Sequence, residues 1–156
     1  MNRAILVSLM LGAAATYALP ALANDPNEKA IKARRGLMQT ISFYAGPLFG
    51  MAKGKVAYDA KKAQMFADNL KAAALINSGP MWVKGTDAGA YKGKTRTKAE
   101  MWAADSKVGE ASKAFTAAAT DLAAAAGGGL DGLKAKVAAL GKSCGGCHKP
   151  YRNKEF

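Results

Sequence analysis

The chain has 156 residues, with 23 Lys and Arg against 11 Asp and Glu, a formal net charge of +12, two cysteines and one histidine. That length suits one domain with a real core. No basic run alternates with aromatic residues as a nucleic-acid groove would, so the charge speaks for solubility and for an acidic partner rather than for nucleic acid.

The first 23 residues read as a secretory signal peptide. Arg3 supplies the positive start, "AILVSLMLGAAA" the short apolar run, and Ala21 to Ala23 a small-x-small cleavage site. A membrane anchor would need about 20 apolar residues, so no span is expected after cleavage. The expected division is 1–23 as signal peptide and 24–156 as one exported domain at +11, placed in the periplasm.

A first helix is predicted from "NDPNE", with Asp25 as N-cap, Pro26 at the first helical position and Glu28 three residues after the cap. Ile31, Arg34, Met38, Ile41, Ala45, Leu48 and Ala52 then follow in steps of three and four. Arg34 is the one charge in this stripe, and it reads either as a snorkelling side chain at a bundle edge or as a functional cation. Pro47 should kink the helix, and "KGK" at 53–55 should end it.

A second helix is expected from Asp59, with Ala63, Phe66, Leu70, Ala73 and Ala74 on one side. Residues 77–96 read as the long connection. "TKAE" at 97–100 has the form of a capping box and is expected to open a third helix through Trp102, Val108, Phe115 and Leu122, ending before three glycines at 127–129. The last helix follows Asp131 and carries Leu133, Val137, Leu140, Cys144, Cys147, His148 and Tyr151 on one stripe. Pro150 should kink or end it. No segment alternates like a strand, so the fold class is all-α, an antiparallel four-helix bundle with an Ala-rich core.

Both cysteines and the only histidine lie in "CGGCHKPYR" at 144–152. A redox dithiol normally follows a strand, and this chain has none predicted; structural zinc takes four ligands, and only three N or S side chains of that kind exist here. C-x-x-C-H is also the attachment motif of a c-type haem. On a helix the two thiols share a face, so each can bond one vinyl group while the adjacent imidazole meets the iron.

This motif on the last of four helices resembles the cytochrome c′ family, the class II c-type cytochromes. "GPLFGMAKGK" at 46–55 with "YDA" at 58–60, and "AEMWAADS" at 99–106, are similar to the end of that family's first helix and the start of its third. The resemblance implies one haem c per chain, thioether links at Cys144 and Cys147, and His148 as proximal iron ligand. It also implies Arg34 and Arg152 near the haem propionates, and a distal position for Met38, one turn after Arg34. Members with Met there resemble the low-spin type in which sulfur closes the sixth site; members without it leave iron open to nitric oxide or carbon monoxide. A Met at helical spacing is ordinarily core, but the joint match of Arg34 and Met38 points to His148/Met38 ligation. The expected function is therefore a periplasmic one-electron carrier, not an enzyme, with an acidic redox partner. The alternative is a five-coordinate member that binds nitric oxide. The resemblance also allows two copies to pair as a homodimer through the first two helices.

Overall fold

A computed structural model describes residues 25–156; the expected signal peptide lies outside the described residues. Four helices are present: α1 (Pro26–Ala52), α2 (Ala60–Ala74), α3 (Val108–Ala123) and α4 (Leu130–Tyr151). Two short 3₁₀ turns, Gly79–Met81 and Ala99–Trp102, lie between α2 and α3. Among the described residues there is no strand, only an isolated antiparallel bridge between Thr97 and Arg152. No helix there is long and apolar enough to cross a membrane.

The helix starts follow their caps. The Asp25 carboxylate accepts the Asn27 amide at 2.9 Å, and Asp59 accepts the Lys62 amide at 3.0 Å, each satisfying a donor that the first turn leaves free. α1 ends where Gly54 takes φ +68°, a left-handed conformation that glycine adopts without strain. Pro47 does not interrupt α1. Its missing N–H frees the carbonyl of Phe43, which lies on an exposed face where water reaches it. The same holds in α4, which runs through Pro150 to Tyr151 because the carbonyl that Pro150 leaves free belongs to exposed Gly146.

The third helix corrects the sequence reading. Thr97 does not cap it: its hydroxyl shares a hydrogen bond of 3.0 Å with Thr95, and its backbone bridges Arg152. Ala99–Trp102 is consequently a single 3₁₀ turn, and Trp102 donates its indole N–H to the carbonyl of Trp82 at 3.0 Å rather than filling a helix face. α3 begins only at Val108, so the long connection covers 75–107.

α1 packs on α2 and α4, and α3 packs on α2 and α4, giving an up-down bundle. Its core is made of small and medium side chains: Ala63, Ala67 and Ala119 are fully buried together with Leu48, Leu70, Leu122, Leu133 and Leu140. The alanines let the helices approach closely, and the leucines interdigitate between them. Tyr58 and Gln64 seal this end, Tyr58 accepting the Gly129 amide at 2.9 Å and Gln64 accepting the Gly127 amide at 3.0 Å. Since Leu122 sits at the centre of this closed end, Leu122→Ala should cost about 2–5 kcal/mol, read as a lower urea midpoint of the holoprotein with an unchanged visible spectrum.

Candidate functional site

The core stripe of α4 changes character along its length. Leu133, Val137 and Leu140 are buried, whereas Cys144, Cys147, His148 and Tyr151 further along are only half-buried. Both thiols are free. Burial pushes the Cys144 and Cys147 thiols above their ordinary value, with the Arg152 cation pulling partly the other way. This upward direction is opposite to the one that activates the thiolate of a redox dithiol. Burial, helped by Arg152 and Arg96, holds the His148 imidazole below its usual value, which keeps a ring nitrogen lone pair available at neutral pH. Among the described residues no three His, Cys, Asp or Glu side chains converge as a metal cluster.

α1 shows a matching break. Ile31, Arg34, Ile41, Ala45 and Leu48 of its inward stripe are each 9% exposed or less, yet Met38 in the middle of that stripe is 38% exposed. The ring of Phe49 lies over Gly141, where a Cβ would come within 3.4 Å. With α1 and α4 antiparallel and rising 1.5 Å per residue, that contact sets His148 level with Ser42 and Phe43, and Met38 about one turn beyond. α3 agrees: its buried residues are Ala118, Ala119, Leu122 and Ala123, and none lies in its first ten positions. The bundle is closed at the end where α3 meets α4 and open at the end that carries Met38, Cys144, Cys147 and His148.

Arg34 is 1% exposed. Its Nη1 donates to Thr86 Oγ1 at 2.6 Å and to Met81 O at 3.3 Å; its Nη2 donates to Thr86 O at 2.6 Å and to Thr95 Oγ1 at 3.0 Å. The Trp82 ring stacks on it at 5.1 Å. Arg152 is exposed, its amide donating to His148 O at 3.1 Å and its charge acting on both thiols and the imidazole. The structure thus brings Cys144, Cys147, His148 and Arg152 together, sets Met38 on the facing helix, and seats Arg34 among loop acceptors. The sequence reading missed Thr86, Thr95 and Trp82 as the surroundings of Arg34. No periodic pattern marks them; the one signal was a buried-type spacing of threonines, "TRT" at 95–97, inside an otherwise polar stretch.

Residues 29–152 match the family described as Cytochrome C′. The chain belongs to the cytochrome c′ family. It is 36% identical to cytochrome c-554 of Cereibacter sphaeroides over 140 residues, covering 88% of this chain and 91% of that protein. It is 34% identical to the cytochrome c′ of the same organism over 155 residues, 99% of each. Among solved structures it is similar to cytochrome c′ from Rhodobacter Spheriodes, with a TM-score of 0.79, 33% identity and coverage of 83% of this chain and 98% of that one. Cytochrome c prime from Shewanella frigidimarina gives a TM-score of 0.74 at 31% identity, over 82% and 97% of the two chains.

The four-helix bundle and the haem c cofactor are those of the family. The residues present fit such a group: two free, half-buried thiols at i and i+3, a half-buried histidine beside them, and a bundle end where Met38 in the inward stripe of α1 is left exposed. Replacing both Cys144 and Cys147 by Ala should abolish covalent haem, read by intact-protein mass, and should leave little folded protein in the exported fraction, because a group bound only in the native state adds its binding free energy to stability.

Proposed function

We propose that this chain is a periplasmic one-electron carrier in which Cys144 and Cys147 would hold the haem c while His148 would give its iron an imidazole nitrogen and Met38 a thioether sulfur. When bound, the haem supplies an iron centre that cycles between ferric and ferrous states. The observation that carries the reading is Met38, the one large side chain left half-open in an otherwise buried stripe, on the helix that faces His148. A thioether is a soft, neutral ligand, and paired with an imidazole it favours the reduced state. The imidazole and the thioether both stay neutral through the cycle, so neither side chain has to gain or lose a proton as the electron moves. α4 keeps His148 in place through the neighbouring thioether, and α1 keeps Met38 in place through its packing.

The exposed cations Lys142, Lys149, Arg152 and Lys154 surround the attachment motif and fit an acidic protein partner docking near it. Arg152, exposed and beside both thiols, is also placed to meet a haem propionate. Export to the periplasm rests on the N-terminal 23 residues. Pairing of two copies would cover Phe43 and Met65, exposed at 68% and 48% on the outer faces of α1 and α2; a solved relative of this chain is described as having a ligand-controlled dimer dissociation.

The second reading is a five-coordinate member that binds nitric oxide. It is favoured by similar solved structures that include a nitric oxide complex of a variant of cytochrome c prime from Alcaligenes xylosoxidans, with a TM-score of 0.70 and 28% identity. Met38→Leu separates the two. The carrier reading expects a low-spin wild type that takes up carbon monoxide poorly, and a Met38→Leu variant that turns high-spin, binds carbon monoxide readily and has a lower reduction potential. A wild type that is high-spin and gas-binding before any substitution establishes the second reading instead.

The docking surface has its own check. Electron-transfer rates with an acidic redox protein should fall on the order of tenfold between low and physiological salt, and rates indifferent to salt would point to an apolar docking face.

A further inference from the structure

The connection between α2 and α3 runs 33 residues, from Leu75 to Lys107, and loops longer than about 12–15 residues without much secondary structure are usually functional. Here it spans two helices. On the α4 side, the Lys98 amide donates to Tyr151 O at 2.9 Å, the Asn153 amide to Arg96 O at 2.8 Å, and the Lys107 amide to the Tyr151 hydroxyl at 2.7 Å. On the α1 side, Arg35 donates to Lys94 O at 3.0 Å, Lys94 pairs with Glu28, and the Tyr91 hydroxyl joins Asp25 and Asn27. All of these α1 contacts are exposed or half-buried.

Arg34 is the exception. It is the only charged residue buried among the described residues, and its four hydrogen bonds all go to neutral acceptors of this loop. No carboxylate pairs with it in the described structure. A guanidinium stays charged even where burial lowers its pKa, so its desolvation is offset by these acceptors and by the Trp82 ring. The acceptors are drawn from Met81, Thr86 and Thr95, which are far apart along the loop and are held together by one planar fork. Trp102 then ties the second 3₁₀ turn to Trp82 O. The strap so formed joins α1, from Asp25 to Arg35, with α4 at Tyr151, and Arg34 lies one helical turn before Met38.

We infer that Arg34 is a positioning residue that pins residues 81–95 across the Met38 side of the haem site and thereby limits the entry of small external ligands. This role rests on the haem site proposed above, and it differs from a propionate contact, since the donors of Arg34 are turned to the loop. An ammonium cannot span the same acceptors, so Arg34→Lys should behave like Arg34→Leu rather than restore the wild type.

The test compares holoprotein of the wild type, Arg34→Leu, Arg34→Lys and a Thr86→Val, Thr95→Val double variant, which keeps the charge and removes two acceptors. Amide hydrogen exchange and the association rate of imidazole with the ferric protein are measured on each. The inference expects amides of residues 81–95 to exchange at least tenfold faster in every variant, those of α2 and α3 to keep wild-type protection, and imidazole association to rise at least tenfold. Unchanged loop exchange overturns it, as does an unchanged association rate. Loss of protection spread evenly over α2 and α3 also overturns it, because that is general destabilisation. Should Arg34→Leu fail to fold, the threonine pair decides the matter by the same readings. A high-spin wild-type spectrum overturns Met38 ligation but not this inference, since loop exchange reads the strap whatever closes the sixth site.

Discussion

The rest of the structure depends on how α1 and α4 lie against each other. They are antiparallel, and Phe49 packed over Gly141 fixes their register. From that single contact, helical rise alone sets Met38 and His148 on facing helices within about a turn of the same level. Towards the α3–α4 turn the shared stripes are filled by leucine and alanine and the bundle closes on itself. Beyond Gly141 the stripes carry two cysteines, a histidine and an exposed methionine, none of them fully buried. One bundle therefore has a structural end and a chemical end. The division follows from which side chains occupy the same inward positions.

The chemical end is held from outside by the strap of residues 75–107. Its exposed links, such as Lys94 to Glu28, are worth little each in water. Its buried link is different, because an unpaired guanidinium in a site closed to water makes every acceptor around it necessary. The strap and the bundle are thus coupled through Arg34, one turn from Met38. A residue that resembles the family's propionate-side arginine by sequence position donates its four hydrogen bonds to a loop in this structure.

Much of this was legible in the sequence, and the reasons differ by element. Asp25 was readable as a cap and Asp59 as a helix start because capping is local: each carboxylate bonds an amide two or three residues on. The α4 stripe and the C-x-x-C-H motif were readable because helical spacing and thiol chemistry are both local too. Thr97 was misread because its partners are remote. The bridge to Arg152, 55 positions along, outweighed a capping box that local pattern favoured. Arg34 was legible as an anomaly but not as a loop anchor, since its acceptors lie 47 to 61 residues away. Met38 stood out only through the family resemblance, one turn after Arg34; its exposure could be known only once the neighbouring helices were in place.

In the carrier reading, α1 would supply a sulfur and α4 a nitrogen to the same iron. Iron-edge X-ray absorption of the wild-type holoprotein tests it most directly, because sulfur and nitrogen scatterers in the first shell are distinguishable in both oxidation states. The expected first shell is five nitrogen donors and one sulfur, with the sulfur retained on reduction and lost in Met38→Leu. A first shell of five nitrogens without sulfur would contradict it, and Met38 would then be a distal packing residue beside an open iron.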